Sequence, residues 1–401
     1  MKVLVADAFE KSGLDGLAAV GCEVLYEPKL EGASLGARLA ETGAEALVVR
    51  STKVGATEME GASGLALIVR AGAGVNTIDL QAASARAIAV SNCPGKNAIA
   101  VAELTWGLIL ALDRRIVDQT NDLRAGVWNK SLYGKARGLA GRTLGVIGLG
   151  AIGREVVTRA KAFGMPVVAF SRTLDEAGAA RLGVTNAASL AAVAAASDVV
   201  TVHVALTVET RGFLDDAFFA AMRPGAFFVN TSRGEVVDAA ALAKAVAERG
   251  LRAGLDVFAK EPAGGNGVFE DDIVKNPAVI GTHHVGASTE QAQAAIAEET
   301  VRIVGAFAST GEVPNAVNLA SRTPATHVLS VRHRDRVGVL AHVFGVLRVA
   351  GINVEKTENV VFAGAEAACA RIQVGRAPQA AVLEKIQRGC ADVLSISVRP
   401  L

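Results

Sequence analysis

The chain has 401 residues, too many for a single core, and a typical size of ~150 residues per domain implies two or three folded units. Apolar residues make up 51% and charged residues 20%, which excludes a disordered chain. The net charge of +1, with no basic run or basic stripe interleaved with aromatics, excludes a nucleic-acid surface. Cys22, Cys93, Cys369 and Cys390 lack CxxC spacing, which argues against a disulfide framework or a zinc site and fits reduced thiols of the cytoplasm.

The opening segment MKVLVADAFE reaches Asp7 after four apolar residues, too few for a secretory signal. No later stretch approaches the ~18 apolar residues of a membrane span. A soluble, unexported protein without a membrane partner is expected.

Short Val-, Ile- and Leu-rich runs then alternate with amphipathic stretches, the pattern of parallel sheets covered by helices. The first set reads as strands over 3–7, 23–26, 46–50, 65–70 and 89–92, followed by a long helix over 97–115. A second set reads as strands over 143–148, 167–171, 198–204, 226–230, 253–258 and 278–283. The helical stretch 288–310 is expected to pack back on the first lobe. At 311–326 the composition turns to linker residues, and beyond it the order is strand, helix, two strands, helix, strand. In that last part Val339, Leu340, Val343, Phe344 and Leu347 share a helical face, and Leu394, Ile396 and Val398 alternate with Ser395 and Ser397.

The expected fold is α/β. Two Rossmann-like doubly wound parallel-sheet domains are followed by a C-terminal ferredoxin-like βαββαβ domain. The expected boundaries are 1–96 with 289–318 for a discontinuous first domain, 97–288 for a second, and 326–401 for a third.

Gly148, Gly150 and Gly153 form GxGxxG between a strand and a helix. The first glycine permits the turn, the second lets backbone approach a pyrophosphate, and the third allows close packing of helix on strand. The helix N-terminus, with Ala151 and Ile152, faces the anion. Ser171 and Arg172 stand where an Asp or Glu usually meets the ribose 2′-hydroxyl of NAD. A hydroxyl and a guanidinium suit a 2′-phosphate, which points to NADP. If Arg172 instead points into solvent, NAD use stands; the cofactor is therefore NAD or NADP, with no metal.

Three polar groups end late strands: Arg233 in NTSRGEVVD, Glu261 in GLDVFAKEP and His284 in GTHHVGAST. With GLGAIG, these motifs resemble the D-isomer-specific 2-hydroxyacid dehydrogenases over residues 1 to about 318. The resemblance implies His284 as general acid/base, Glu261 as its carboxylate partner and Arg233 as the cation on the substrate carboxylate. That chemistry is coherent: hydride transfer at a C2 carbonyl leaves an alkoxide to be protonated, while a guanidinium polarises the carbonyl oxygen. The resemblance also places His203, Thr207, Thr231, Ser232, Asp256 and Gly286 at the cofactor, Asp256 meeting the nicotinamide carboxamide. His283 stands where the family commonly has proline and is the reserve candidate for the base. Adjacent histidines without a cysteine or carboxylate cluster make no metal set.

In the first lobe, VVRSTKV and VRAGAGVNTID put Arg50, Ser51, Lys53 and Arg70 on one rim, with Ala71, Gly72, Ala73 and Gly74 offering backbone amides. This suits a carboxylate plus a dianionic phosphate. The segments resemble the branch of the family that oxidises 3-phosphoglycerate to 3-phosphohydroxypyruvate, the first step of the phosphorylated route to serine. VRHRDRVGVLAHVFGVLRVAGINVEKTE resembles an ACT domain, an amino-acid-sensing module that pairs between subunits. It implies His333, Asp335 and Asn353 as ligands of an L-serine effector. A homodimer or homotetramer is expected. Two competing readings remain: an NADPH-dependent hydroxypyruvate or glyoxylate reductase, and a non-catalytic dinucleotide-sensing scaffold.

Overall fold

Runs of four apolar residues with no polar face must be buried on both sides, and they form the parallel strands of two sheets. A computed structural model describes residues 1–262 and 267–401. The first sheet holds β1 (Lys2–Val5), β2 (Glu23–Tyr26), β3 (Ala46–Val49), β4 (Leu67–Arg70) and β5 (Ala89–Asn92), all parallel, in the order β2-β1-β3-β4-β5. Alternate residues serve opposite faces. Leu4, Leu47 and Ile68 meet Leu35, Leu39 and Met59, whereas Val3, Val5 and Val69 meet Leu17, Ile303 and Val304. The last two side chains belong to the helix Glu290–Thr310, which Thr289 caps by accepting the Ala292 N–H and which returns along the chain to cover this sheet.

The helix Ala98–Arg114 leads into the second sheet. That sheet comprises β6 (Leu144–Ile147), β7 (Val167–Phe170), β8 (Thr185–Asn186), β9 (Val199–Val202), β10 (Phe227–Asn230), β11 (Arg252–Leu255) and β12 (Val279–Gly281). Its order is β12-β11-β10-β9-β6-β7-β8, again all parallel. The order reverses between β6 and β9, so a crevice opens outside their carboxyl ends, where such sheets take ligands.

Several strands stop short of their expected ends. Arg50, Ser171, His203 and Asp256 follow the last paired residue of their strands and belong to loops at the carboxyl edge. Polar side chains there bond to neighbouring loops and take the backbone out of the ladder. The two-residue β8 and the helices Ile116–Arg124 and Lys130–Tyr133 were not expected; neither helix buries a side chain, so neither has the apolar stripe by which a helix is read.

Contacts divide the chain into Met1–Asn318 and Leu319–Leu401. The terminal unit has β13 (His327–Arg334), β14 (Val354–Val361), β15 (Ala367–Val374) and β16 (Val393–Pro400), antiparallel in the order β14-β15-β13-β16. Its helices Val339–Val349 and Ala380–Gly389 pack on the sheet through Val343, Leu347 and Ile386. One expectation fails here. Leu394 does not share a face with Ile396 and Val398, because a bulge opposite Arg332 and His333 shifts the register and Val393 enters the core, leaving Leu394 47% exposed. Among the described residues no helix is long and apolar enough to cross a membrane.

Candidate active site

The glycine loop leaves β6 at the switch point. Gly148 takes φ +94°, and a Cβ on it would run into the backbone carbonyl of His203; a Cβ on Gly153 would overlap the Gly148 carbonyl. Gly150 faces open space and starts the helix Ala151–Ala162, whose N-terminus no side chain caps. Helix N-terminal amides beside open space suit a pyrophosphate. Ser171 is half-buried and Arg172 exposed at the end of β7. Glu209, in the exposed loop that also holds Thr207, has its pKa lowered, chiefly by hydrogen bonding to Thr207 and least by the charge of Arg172. Thr207 and Thr210 bond each other.

Several hydroxyls expected at the cofactor are committed within the chain. Ser232 Oγ donates to Asn230 Oδ1, which also accepts the Ser232 N–H, and Thr231 Oγ1 shares a 2.9 Å bond with Thr105 Oγ1. His203 is buried beside the glycine loop, with Nε2 3.0 Å from Thr201 Oγ1 and Nδ1 without a partner among the described residues. Burial pushes its pKa down to about 3, so the ring is neutral.

The loop after β12 carries the histidines. His284 Nδ1 lies 2.7 Å from Glu261 Oε2, and Glu261 Oε1 accepts the Phe258 N–H. Burial works against ionisation of Glu261, but the bonds from His284 and Phe258 and the charge of Arg233 outweigh it, and its pKa is lowered. An ionised carboxylate only accepts, so Nδ1 carries the proton of that bond. Nε2 has no partner among the described residues. No bond of the His283 ring is present among them either, so only His284 of the two is built into a network.

Asp256 holds this loop. Its Oδ1 accepts from Thr282 Oγ1 at 2.6 Å and from the Val285 N–H, Oδ2 accepts the Gly286 N–H, and its carbonyl accepts the His284 N–H. His284 thereby sits at φ +53°, a left-handed conformation that a side chain resists. Both carboxylate oxygens of Asp256 are thus engaged with the loop. This clamp was not expected.

Arg233 reaches from the second sheet toward the first. Its Nη1 donates to the Ser232 carbonyl, and its Nη2 lies 3.5 Å from Asn76 Oδ1. A Cβ on Gly74 would strike the Arg233 guanidinium, and one on Gly72, at φ +153°, would strike that of Arg70. The glycines of RAGAG therefore make room for two arginines, a role beyond offering amides. Ala71 and Gly72 bond to Val49 and Arg70 carbonyls, while the amides of Ala73 and Gly74 have no partner among the described residues. Arg70 Nε is buried and has no partner among the described residues. Burial first, then the charges of Arg233 and Arg50, bring its pKa down to about 10. Among the described residues none of Arg50, Lys53, Arg70 and Arg233 forms an ion pair. Ser51 is exposed, and its N–H, with those of Arg50 and Thr52, points to Asp7 Oδ2. Asp7 was missed, although its place just past β1, at the same sheet edge as Arg50, was readable.

In the terminal unit the three expected effector ligands do not meet. His333 is 1% exposed, with Nδ1 at the Arg334 carbonyl and Nε2 at Asn359 Oδ1. Asp335 is exposed next to it, whereas Asn353 precedes Val354, whose row in the sheet is that of His327. Six residues of strand separate the His327 and His333 rows, about 20 Å.

A family profile described as "D-isomer specific 2-hydroxyacid dehydrogenase, NAD binding domain" matches residues 106–286. The chain is 40% identical over 310 residues to the D-3-phosphoglycerate dehydrogenase of Methanocaldococcus jannaschii, covering 76% of this chain and 57% of that one. It is 39% identical over 282 residues to the D-3-phosphoglycerate dehydrogenase of Bacillus subtilis, covering 70% and 52%. It thus spans little more than half the length of these curated relatives. A crystal structure of a protein from Thermus thermophilus superposes with a TM-score of 0.70 at 35% identity, over 79% of this chain and 100% of that one. The glycine loop, the order of the second sheet and these similarities converge, and the chain belongs to the D-isomer-specific 2-hydroxyacid dehydrogenase family.

Proposed function

We propose that the protein is a D-3-phosphoglycerate dehydrogenase, transferring hydride between 3-phosphoglycerate and NAD or NADP to give 3-phosphohydroxypyruvate, the first step of the phosphorylated route to serine. The observation that carries this reading is the group Arg50, Arg70 and Arg233: Arg70 is half-buried with its Nε atom buried and without a partner among the described residues, and none of the three lies at ion-pair distance from a carboxylate among them. Leaving such charge unpaired in a folded protein is costly unless an anionic ligand completes it. A carboxylate at one end and a phosphate at the other match three cations better than the single carboxylate of a lactate-sized acid.

In this reading residues 97–288 hold the dinucleotide and residues 1–96 with 289–318 hold the distal end of the substrate. The dinucleotide supplies or accepts the hydride at C2. Arg233 pairs with the substrate carboxylate and polarises the carbonyl oxygen, where charge grows. His284 Nε2 delivers a proton to that oxygen in reduction and takes it back in oxidation. Glu261 holds the ring through Nδ1–H, which leaves Nε2 for the substrate, and Asp256 sets the loop. NADP use is supported by Ser171 and the exposed Arg172 in place of a carboxylate.

Initial rates with 3-phosphohydroxypyruvate and hydroxypyruvate, each with NADH and NADPH, test the reading. A kcat/KM preference for the phosphorylated acid of about 100-fold or more is expected. Equal rates would make the basic rim structural and favour the hydroxypyruvate or glyoxylate reductase. No turnover with tight dinucleotide binding would leave the scaffold. Truncation of Arg172 to Ala is expected to raise the NADPH KM and leave that of NADH in place.

A cytoplasmic homo-oligomer fits the four free cysteines and an exposed apolar segment in which Trp128 is 79% exposed beside Val127 and Leu132. With His333 and Asn353 at opposite ends of one sheet, an L-serine site using both would need two copies. Serine inhibition is then expected to weaken on dilution to the monomer.

A further inference from the structure

In the first sheet the strand order reverses between β1 and β3, so the ligand crevice of a parallel sheet lies outside the carboxyl ends of these two strands. Three successive backbone N–H groups point into that crevice from the turn after β3, and such a row is a ready anion nest. In this chain the nest is already filled. Asp7, two residues past the end of β1, places one carboxylate oxygen 2.6 Å from the Arg50 nitrogen and 3.0 Å from those of Ser51 and Thr52.

Two consequences follow from this filling. An anionic substrate cannot use these amides, because the carboxylate of the chain itself holds them. The turn, in exchange, has one conformation, since three charge-assisted bonds converge on a single oxygen. The Arg50 side chain leaves from this turn, close enough to Arg70 for their charges to interact, and Arg233 faces Arg70 from the other sheet. Asp7 is also the carboxylate whose charge reaches Arg70 from β1. At this turn recognition is therefore left to the guanidinium of Arg50 rather than to the backbone amides that Asp7 holds.

We propose that Asp7 is a positioning residue for substrate recognition: by filling the amide nest after β3 it holds Arg50 in place against the phosphate end of the substrate. The proposal rests on the reading above that Arg50 meets that phosphate. Asp7 itself does not touch the substrate.

A double-mutant cycle tests it, with KM and kcat measured on Asp7→Ala, Asp7→Asn, Arg50→Ala and the double variant Asp7→Ala/Arg50→Ala. Asp7→Ala is expected to raise the KM for 3-phosphohydroxypyruvate about tenfold with kcat within about twofold, and to change the KM for hydroxypyruvate by less than about twofold. Asp7→Asn, which keeps an acceptor oxygen without the charge, is expected to fall between wild type and Asp7→Ala. On the Arg50→Ala background the loss of Asp7 is expected to add less than about twofold, because nothing remains to be positioned.

A merely structural role predicts something different: equal losses with both acids, or effects of Asp7 and Arg50 that multiply. Either result overturns the proposal. If Asp7→Ala does not fold, Asp7→Asn carries the same cycle. Should wild type reduce hydroxypyruvate as well as the phosphorylated acid, the substrate reading fails on that measurement alone. The cycle is then scored with hydroxypyruvate, where non-additive effects keep Asp7 as a positioning residue of Arg50 and multiplying effects remove it.

Discussion

His284 is held at a left-handed φ by bonds that converge on one buried carboxylate, Asp256. A conformation of this kind costs on the order of 1 kcal/mol and persists because the surrounding loop determines it. The Asp256→Asn variant loses part of that clamp, since an amide offers one accepting oxygen where the carboxylate offers two. Its kcat is expected to fall about 10- to 100-fold, with a smaller change in KM, as measured in steady-state assays. The bases separate in the same assay: His284→Ala is expected to lose about 10²–10⁴-fold in kcat, and His283→Ala to keep the activity of the wild type. A reversed result would transfer the proton step to His283.

The element that presents the dinucleotide loop depends on a contact no side chain can enter. A methyl group at Gly153 would overlap the Gly148 carbonyl, and backbone on both sides cannot yield as a flexible side chain would. Gly153→Ala is expected to cost about 1–3 kcal/mol of stability and to weaken NADH binding, read by thermal melting and by quenching of intrinsic fluorescence. The helix Glu290–Thr310 is fixed by a charge network on its buried side. Glu299, 7% exposed, joins Arg302, Asn315 and Lys96, tying the helix to the segment before Ala98 and to the tail of the unit. The bonds from Arg302 come first among the causes that hold its pKa down to about 2, below an ordinary value of 4.5. The unfolded chain binds this proton more readily, so the stabilisation is complete above about pH 4.5 and is lost as pH falls toward about 2. Glu299→Gln is expected to flatten that part of the acid limb in a denaturation series from pH 5 to 2.

On the scale of the whole molecule, the chain divides into two units, Met1–Asn318 and Leu319–Leu401. The first unit closes with Asn318, whose side chain bonds to Val90, Ile88 and Ser84, and the exposed residues 319–322 begin the second. Each unit has its own apolar core. Calorimetry is expected to show two transitions, and Asn318→Ala to lower the one that belongs to the first unit. A single shared transition shifted by that substitution would show the two cores to be coupled.

By itself the amino-acid sequence determined the two parallel sheets, the antiparallel terminal unit and the strand ends from which Gly148, Arg233, Glu261 and His284 emerge. Periodicity and glycine spacing are local, and a run such as ALVV has one compatible environment. It did not reveal that Asp256 clamps the loop of His284, that the glycines of RAGAG make room for Arg70 and Arg233, or that Asp7 fills the turn after β3. Nor did it show the bulge that turns Leu394 outward, or the distance between His333 and Asn353. These features join residues as far apart in the chain as Gly74 and Arg233, or depend on the register of neighbouring strands. Only the tertiary structure decides them, because hydrogen bonds between loops and the position of a bulge have no period along the chain.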